Sequence, residues 1–533
     1  MSRLKLIGLC LLSGVLLAIP WYESLPNITI FIGFLPLLLV HDELLRKQAK
    51  GKFIVFYSSI TFMSWVGLSA WWVYNATLFG AIMTVIVPTV LMVPTFLAYH
   101  YTRKIGGDKI GMFSFVVYWI AFELFFHNSE IQWPWMTLGN GIGNSIKIIQ
   151  WYEYTGVLGG SLWILIVNLL VYFIYKRLAG KKYKEIILLS SVLTFVALIP
   201  VIISITIYSK YKEEEKPANV VIVQPSINPY NEKFSGLSND QQMDIMFNLA
   251  EQNIDSTTDY VVCPETAIDD NVWEESVTSN PSIIRIKQFA SEHPRIKWIS
   301  GLTSLKLYKP GDQLSVTARA FSNNKGYYYD YYNSAIQVDT TSNYPIYHKS
   351  KLVVGVEMMP YPKQLKILEK LSINLGGITG SLGTQPDREV FFSSDRKFGV
   401  GPVICFESDF GEFMTGYVKN GANLVFVITN DGWWGNTPGY RQHLTFSQIR
   451  AIELRRSIAR SANTGISAII NQKGELIDTL GWYKRSVLKG IVNANNQMTF
   501  YTRNGDYIGK FAYYLGFFML LYTIIRRIVR GKN

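Results

Sequence analysis

Long apolar runs fill most of the first 210 residues and return once near the end of the chain. They fall at 4–21, 26–40, 53–75, 78–100, 110–126, 158–178 and 185–209, with an eighth at 507–527. A hydrocarbon core about 30 Å thick needs about 20 apolar residues in a helix, so the pattern predicts a polytopic bundle of about eight spans. The second run is short and carries Gly33 and Pro36, which a membrane helix tolerates where neighbours satisfy the freed backbone groups. The first run is expected to be retained, not cleaved as a signal peptide. It is long, a second run follows at once, and Leu9 precedes Cys10 where a cleavage site wants a small residue.

Between residues 210 and 505 the pattern changes. The stretch 210–217, with Lys210, Lys212, Glu213, Glu214, Glu215, Lys216 and Pro217, marks the switch. Short apolar runs at 219–223, 259–263, 297–301, 333–338, 398–404, 423–428 and 466–470 predict buried strands. Helical spacing lies between them at 239–254, 281–292, 408–419 and 439–462. Strands alternating with helices predict an α/β layered domain. The expected organisation is a membrane portion at 1–209, a soluble domain at 217–497, and a terminal span with a basic tail at 505–533.

Charge orients this arrangement. The chain is 49% hydrophobic and 17% charged with a net charge of +12, which by itself invites a nucleic-acid partner. The positive residues instead cluster between spans: Arg3 and Lys5; Arg46, Lys47, Lys50 and Lys52; Arg103, Lys104 and Lys109. Further clusters are Arg177, Lys181, Lys182 and Lys184, then Arg526, Arg527, Arg530 and Lys532. Among the alternate loops before residue 210 only Lys147 stands out. The positive-inside rule then puts both termini in the cytoplasm and residues 210–505 on the outer face. No nucleic-acid-binding signature accompanies the charge, so no nucleic-acid partner is expected.

Three cysteines, Cys10, Cys263 and Cys405, form no C-x-x-C pair, and six scattered histidines show no H-x-x-x-H spacing. Neither a disulfide framework nor a metal is expected, and no cofactor. Three stretches of the soluble part do carry chemistry, each beside a predicted strand end, where sites gather in α/β sheets. They are Val262-Cys263-Pro264-Glu265, Tyr347-His348-Lys349-Ser350-Lys351-Leu352 and Ile404-Cys405-Phe406-Glu407. A carboxylate, an ammonium and a thiol are what acyl transfer through a thioester needs: a base, an oxyanion partner and a nucleophile.

In these stretches the chain resembles the nitrilase superfamily and, within it, the membrane-bound apolipoprotein N-acyltransferases. Glu265 stands in a C-P-E context, Lys349 in K-x-x-L-V and Cys405 in I-C-F-E. Glu357, eight residues past Lys349, matches a second essential glutamate of the group, although Val354-Gly355-Val356 departs from the usual P-x-G before it. Thr429-Asn430-Asp431-Gly432-Trp433-Trp434-Gly435, His443, Arg450, Glu453, Arg460 and Asn463-Thr464-Gly465 continue the match. Trp133-Pro134-Trp135 and Leu138-Gly139 extend it into the membrane portion.

The resemblance implies an αββα sandwich and a Glu265–Lys349–Cys405 triad, supported by Glu357, Phe406 and Glu407. It implies transfer of an acyl chain from a phospholipid through a Cys405 thioester to a diacylglyceryl apolipoprotein. The implied setting is the inner membrane of a bacterium, with the catalytic domain on the periplasmic side, and the protein is expected to be a monomer. Met358 and Met359, in an apolar, glycine-flanked stretch at 353–382, suggest a lid that meets lipid, and Trp433 and Trp434 suggest substrate contacts.

Plainer readings stand beside these. Cys263 is expected to be strand filling and Cys10 helix packing, while Lys351 is expected to stay a solvated charge. A Cys405–His348 or Cys405–His443 dyad is the rival mechanism, with no orienting third group evident in the sequence. A membrane-tethered amidase and a non-catalytic lipid-binding protein are the rival functions.

Overall fold

The computed structural model describes residues 1–234, 236–321, 326–361 and 381–530. The chain forms two compact units, Met1–Lys210 with Asn504–Asn533, and Tyr211–Arg503.

In the first unit the described helices are α1 (Arg3–Ala18), α2 (Leu35–Arg46), α3 (Gly51–Ala70), α4 (Leu78–Gly106), α5 (Asp108–Asn128), α6 (Tyr152–Ala179) and α7 (Tyr183–Lys210). With short 3₁₀ extensions and the last helix (Tyr507–Arg530), they make eight segments long and apolar enough to cross a membrane. The second of these is broken, contrary to the single helix expected: a 3₁₀ turn at Asn27–Phe31 is followed by α2. Asn168 of α6 repairs the break, accepting from Phe34 N at 2.8 Å and donating to Ile30 O at 2.8 Å. A polar side chain from a neighbouring helix thus satisfies backbone that lipid could not. The Leu138-Gly139 pair marks a close approach of backbones, for a Cβ on Gly139 would lie 2.1 Å from the Val157 carbonyl oxygen. Leu138 N donates to Glu123 Oε1 at 2.9 Å, and Trp133 and Trp135 stack at 5.8 Å.

The second unit is built on two sheets. Its strands run β1 (Pro217–Gln224), β2 (Tyr260–Val262), β3 (Ile268–Trp273), β4 (Lys297–Leu307), β5 (Arg319–Ala320), β6 (Tyr328–Val338) and β7 (Ile346–His348). They continue with β8 (Phe391–Phe392), β9 (Gly399–Ile404), β10 (Leu424–Thr429), β11 (Ile458–Ala462), β12 (Ser467–Ile470), β13 (Leu476–Leu480) and β14 (Ser486–Asn493). One sheet has the order β14-β1-β2-β4-β6-β5, with β3 on β4 and β7 on β6; the other runs β13-β12-β11-β10-β9-β8.

Period-two alternation sorts the strand residues into layers. Val221, Val223, Val261, Cys263 and Trp298 pack with Met243 and Met246 of α8 (Asn239–Glu251) and Ile286 and Phe289 of α9 (Pro281–Glu292). Tyr260, one residue from Val261, points the other way, and its ring meets Phe426 of the second sheet at 5.2 Å. Two further helices, α10 (Gly411–Lys419) and α11 (Pro438–Leu454), cover that second sheet. The layers are α, β, β, α. Cys263 is core filling, fully buried, and Cys10 is buried within α1.

One element is corrected. The helix expected across 439–462 ends at Leu454, where Arg455 caps it at φ 49, and Ile458–Ala462 is β11 instead. That strand runs parallel to β10 and is buried throughout, and a wholly buried strand has no polar alternation to distinguish it from a helix.

Candidate active site

Glu265 follows β2 at a turn in which Thr266 takes a left-handed φ of 46. Gly301 on β4 lies against this turn so closely that a Cβ there would be 2.5 Å from Thr266 N and 2.7 Å from Glu265 Cα. The carboxylate is held at both oxygens. Oε1 accepts from Asn333 Nδ2 at 2.8 Å and from Lys349 Nζ at 3.0 Å, and Oε2 accepts from Asn430 N at 3.1 Å.

Lys349 follows β7 and is almost fully buried, at 1% exposure, so its ammonium has to be met by fixed partners. Its Nζ also donates to Glu357 Oε1 at 2.9 Å. Burial pulls the ammonium down, but the Glu265 and Glu357 carboxylates outweigh it and hold Lys349 well above the ordinary lysine range. The unusual Val354-Gly355-Val356 turn delivers Glu357 all the same. Gly355 takes φ 84, Glu357 N donates to Val353 O at 2.9 Å, and Glu357 Oε2 accepts from Val353 N at 2.8 Å.

Asn333, which sequence reasoning missed, ties the group together. Its side-chain Nδ2 donates 2.8 Å bonds to Glu265 and to Glu357, and its backbone carbonyl accepts from Lys349 N at 2.8 Å. An asparagine in a tyrosine-rich strand carries no motif that would have singled it out.

Cys405 follows β9 at φ 50, a left-handed backbone that a non-glycine residue holds only where the surroundings fix it. The nearby Thr429 hydroxyl donates to Asp431 Oδ1 at 2.8 Å. Burial pushes the thiol well up and the Glu265 and Asp431 carboxylates add to this, while Lys349 opposes them. A thiol in such surroundings gains nucleophilic character only with help from a neighbouring base.

Glu407 is fully buried and braces this elbow without reaching the thiol. Its Oε2 accepts from Ile404 N at 2.9 Å, and its Oε1 from Ser350 N at 2.7 Å and Tyr347 Oη at 2.6 Å. One carboxylate thus joins the Cys405 turn to the Lys349 strand end. Phe406 is buried with its ring edge-on to Phe410 at 5.1 Å.

The histidines of the rival dyads separate. His348 Nε2 pairs with Glu274 Oε1 at 2.6 Å and its ring stacks on Tyr332 at 3.9 Å. His443 lies nearer: its Nδ1 is 2.8 Å from Asp431 Oδ1 and its Nε2 is 3.2 Å from the Cys405 carbonyl oxygen. Asp431 is thus the third group that the sequence did not disclose. The ligand atoms of Cys405, Asp431 and His443 lie within 4.8 Å of one another, a grouping that linear spacing could not reveal. The Arg460 guanidinium occupies its edge, 2.8 Å from Asp431 Oδ2 and 3.0 Å from His443 Nδ1, so a metal ion there would face a fixed positive charge.

The remaining motif residues frame the site. Asn463 Nδ2 donates to Ile227 O at 2.7 Å and to Asn430 Oδ1 at 3.2 Å, and Arg450 pairs with Glu453 at 3.1 Å. Half-buried Trp433 packs against Tyr230 at 5.5 Å and Phe234 at 6.0 Å, and Trp434 meets His443 edge-on at 5.6 Å. Met358 and Met359 are half-buried, but most of the stretch expected to form a lid, 362–380, lies outside the described residues. Lys351 corrects an expectation. It is half-buried with its ammonium 4.7 Å from the Phe410 ring, and burial pushes it down to about 8.

The αββα layering and the paired strand-end residues coincide with a sequence match: residues 219–496 fit the carbon-nitrogen hydrolase model, and the chain belongs to that family. Residues 13–170 fit the model of the apolipoprotein N-acyltransferase N-terminal domain. An apolipoprotein N-acyltransferase of Chlorobaculum tepidum is 27% identical over 95% of this chain and 95% of its own length. One from Geobacter metallireducens is 26% identical over 93% of this chain and 91% of its own. Among solved structures, Saccharomyces cerevisiae Nit3, of the nitrilase superfamily, aligns over 53% of this chain and 92% of its own, with 12% identity and TM-score 0.38.

Proposed function

We propose that this membrane protein is an N-acyltransferase that moves a fatty acyl chain from a phospholipid to the N-terminal amine of a diacylglyceryl-cysteine lipoprotein. The observation that carries the reading is Lys349 clamped between Glu265 and Glu357, with the Cys405 thiol within their field. End-to-end similarity to proteins named apolipoprotein N-acyltransferase, through both units, supports the substrate class.

The reaction has two halves. Glu265 takes the Cys405 proton as the thiolate adds to the ester carbonyl of the phospholipid. The C–O bond then breaks, the proton passes from Glu265 to the leaving lysophospholipid oxygen, and a thioester remains. The lipoprotein amine adds to that thioester and gives its proton to Glu265. Cleavage of the C–S bond returns the thiol and releases the amide. Lys349, with the backbone amide of Phe406, opposes the oxyanion in both halves. Glu357 and Asn333 hold Lys349 and Glu265 in register, and Glu407 sets the Cys405 turn. Met358, Met359, Trp433 and Trp434 contact the lipid chains.

The basic clusters between spans support cytoplasmic termini and an outer-facing catalytic unit in the inner membrane of a bacterium, with the protein acting as a monomer. A reporter fused after Lys210 that is active only in the cytoplasm would refute that orientation.

The function is tested by giving the purified full-length protein phospholipid and a synthetic diacylglyceryl-cysteine peptide, then identifying the product. An N-acylated peptide is expected. A free fatty acid as the sole product would identify an amidase-like hydrolase instead.

A further inference from the structure

We propose that Lys233 is a positioning residue for Glu265, a second buried ammonium that fixes the turn carrying the base and supplies positive charge behind it. The inference rests on Glu265 being the base of the acyl transfer described above.

Lys233 lies in the loop between β1 and α8 and is 4% exposed, close to the burial of Lys349 itself. Its Nζ donates to the carbonyl of Thr266, the residue after Glu265, at 2.6 Å. Thr266 is the left-handed residue of the turn, so this bond falls on strained backbone that needs an external hold. Burial draws the ammonium down, and the Asp269 and Glu265 carboxylates act against it. A buried cation bound to a carbonyl of the base's own turn is a costly placement that interior packing alone does not call for.

The loop is itself fixed. Lys233 N donates to Asn228 O at 2.9 Å, Lys233 O accepts from buried Gln242 Nε2 at 2.8 Å, and Ile227 N donates to Asn463 Oδ1 at 3.0 Å. Tyr230 and Phe234 from the same loop meet Trp433, and Tyr230 Oη donates to Trp433 O at 2.7 Å. Lys233 therefore joins the aromatic loop to the base.

The charged and titratable groups facing Glu265 come from several elements. Lys349 donates to the carboxylate and also pairs with Glu357, the Glu265 charge is felt at the Cys405 thiol, and Lys233 feels the charges of both Glu265 and Asp269. With the Lys233 charge removed, the site favours the anionic base less, and loading of Cys405 loses rate most in the acidic part of its profile.

The test measures single-turnover acylation of Cys405 by phospholipid in the full-length protein, across pH, for Lys233→Met, Lys233→Gln, Lys233→Arg, Glu265→Gln and the Lys233→Met/Glu265→Gln double variant. Lys233→Met is expected to slow loading about 10- to 100-fold without changing the phospholipid concentration at half-maximal rate, and to move the acid limb to higher pH. Lys233→Arg should recover part of the rate, and the double variant should be no slower than Glu265→Gln. Wild-type loading by both neutral variants would overturn the proposal. So would a double variant slower than Glu265→Gln by the full Lys233→Met factor, or failure of both neutral variants to fold, since either makes Lys233 scaffold. Wild-type loading by Glu265→Gln would instead overturn the assignment of the base itself.

Discussion

Two buried cations, one in each unit, each pair with two carboxylates, both largely buried beside Lys349 and one of them, Asp108, mostly exposed beside Arg103. Arg103 in the membrane unit lies 2.8 Å from Asp42 and 2.8 Å from Asp108, and Lys349 lies 3.0 Å from Glu265 and 2.9 Å from Glu357. Their surroundings differ. Arg103 also bonds Tyr99 and Tyr172 at 3.1 Å and approaches His41 at 3.1 Å, a ring of groups that closes on itself. Lys349 has a thiol within its field, on a residue held at positive φ. An ion pair in the interior is thus no sign of catalysis by itself. What sets the second clamp apart is a thiol on strained backbone, with a planar fork replaced by a point charge.

The largest expected effects break the second clamp at its chemistry. Cys405→Ser should abolish acyl-enzyme formation, a hydroxyl being a far weaker nucleophile than a thiol at neutral pH. Glu265→Gln should slow loading by about two to four orders of magnitude, and Lys349→Met by about two to three in both half-reactions. Rapid-quench measurement of loading and of transfer to amine, made separately, checks both.

Breaking the first clamp should act on stability. Arg103→Met removes the cation from exposed Asp108 and from Asp42, which keeps Lys176, and should cost about 3 kcal/mol through its lost charged hydrogen bonds, lowering the yield and melting temperature of the purified protein. The protein that does fold should retain near wild-type turnover. If Arg103→Met instead melts as wild type does and loses turnover, the distinction between the two clamps fails.

A smaller effect concerns Asp409, buried beside His443 at 3.6 Å. Burial, opposed by His443, Arg450 and Arg460, pushes its carboxyl up to about 7. An unfolded aspartate ionises near 4, so the stability this group allows is present below that pH and is lost as pH rises through about 7. Asp409→Asn removes the loss, and its stabilisation should be about 2–3 kcal/mol larger at pH 8 than at pH 5. Melting curves of the two proteins at both pH values decide it; an equal difference at each pH would contradict the reading.

The smallest effect separates the rival dyad. With Asp431 and Arg460 holding His443, His443→Asn should reduce loading by about tenfold or less. A loss approaching that of Glu265→Gln would make His443 the base.

The sequence disclosed what bilayer thickness and strand-end chemistry print locally. Eight apolar runs were legible because each span must be long and apolar along its own length, and Glu265, Lys349 and Cys405 because each stands in a short distinctive context. Asn333 and Lys233 were not, since their meaning arises from residues 68 and 33 positions away along the chain. The Asp431–His443 pair has no signature in metal-ligand spacing because the fold, not the spacing, joins it to Cys405. The β11 segment reads as helix in the sequence because burial on both faces erases the period-two signal. Asn168's repair of the second span is likewise a tertiary event, 134 residues removed from Phe34.

The central claim is that Cys405 carries the acyl chain between donor and acceptor. Full-length protein incubated with phospholipid alone, then digested and analysed by mass spectrometry, tests it directly. The account predicts a hydroxylamine-labile acyl adduct on the Cys405 peptide that disappears when the diacylglyceryl-cysteine peptide is added and is absent from Cys405→Ser. Formation of the amide product with no adduct at Cys405 at any time, and undiminished product from Cys405→Ser, would contradict it.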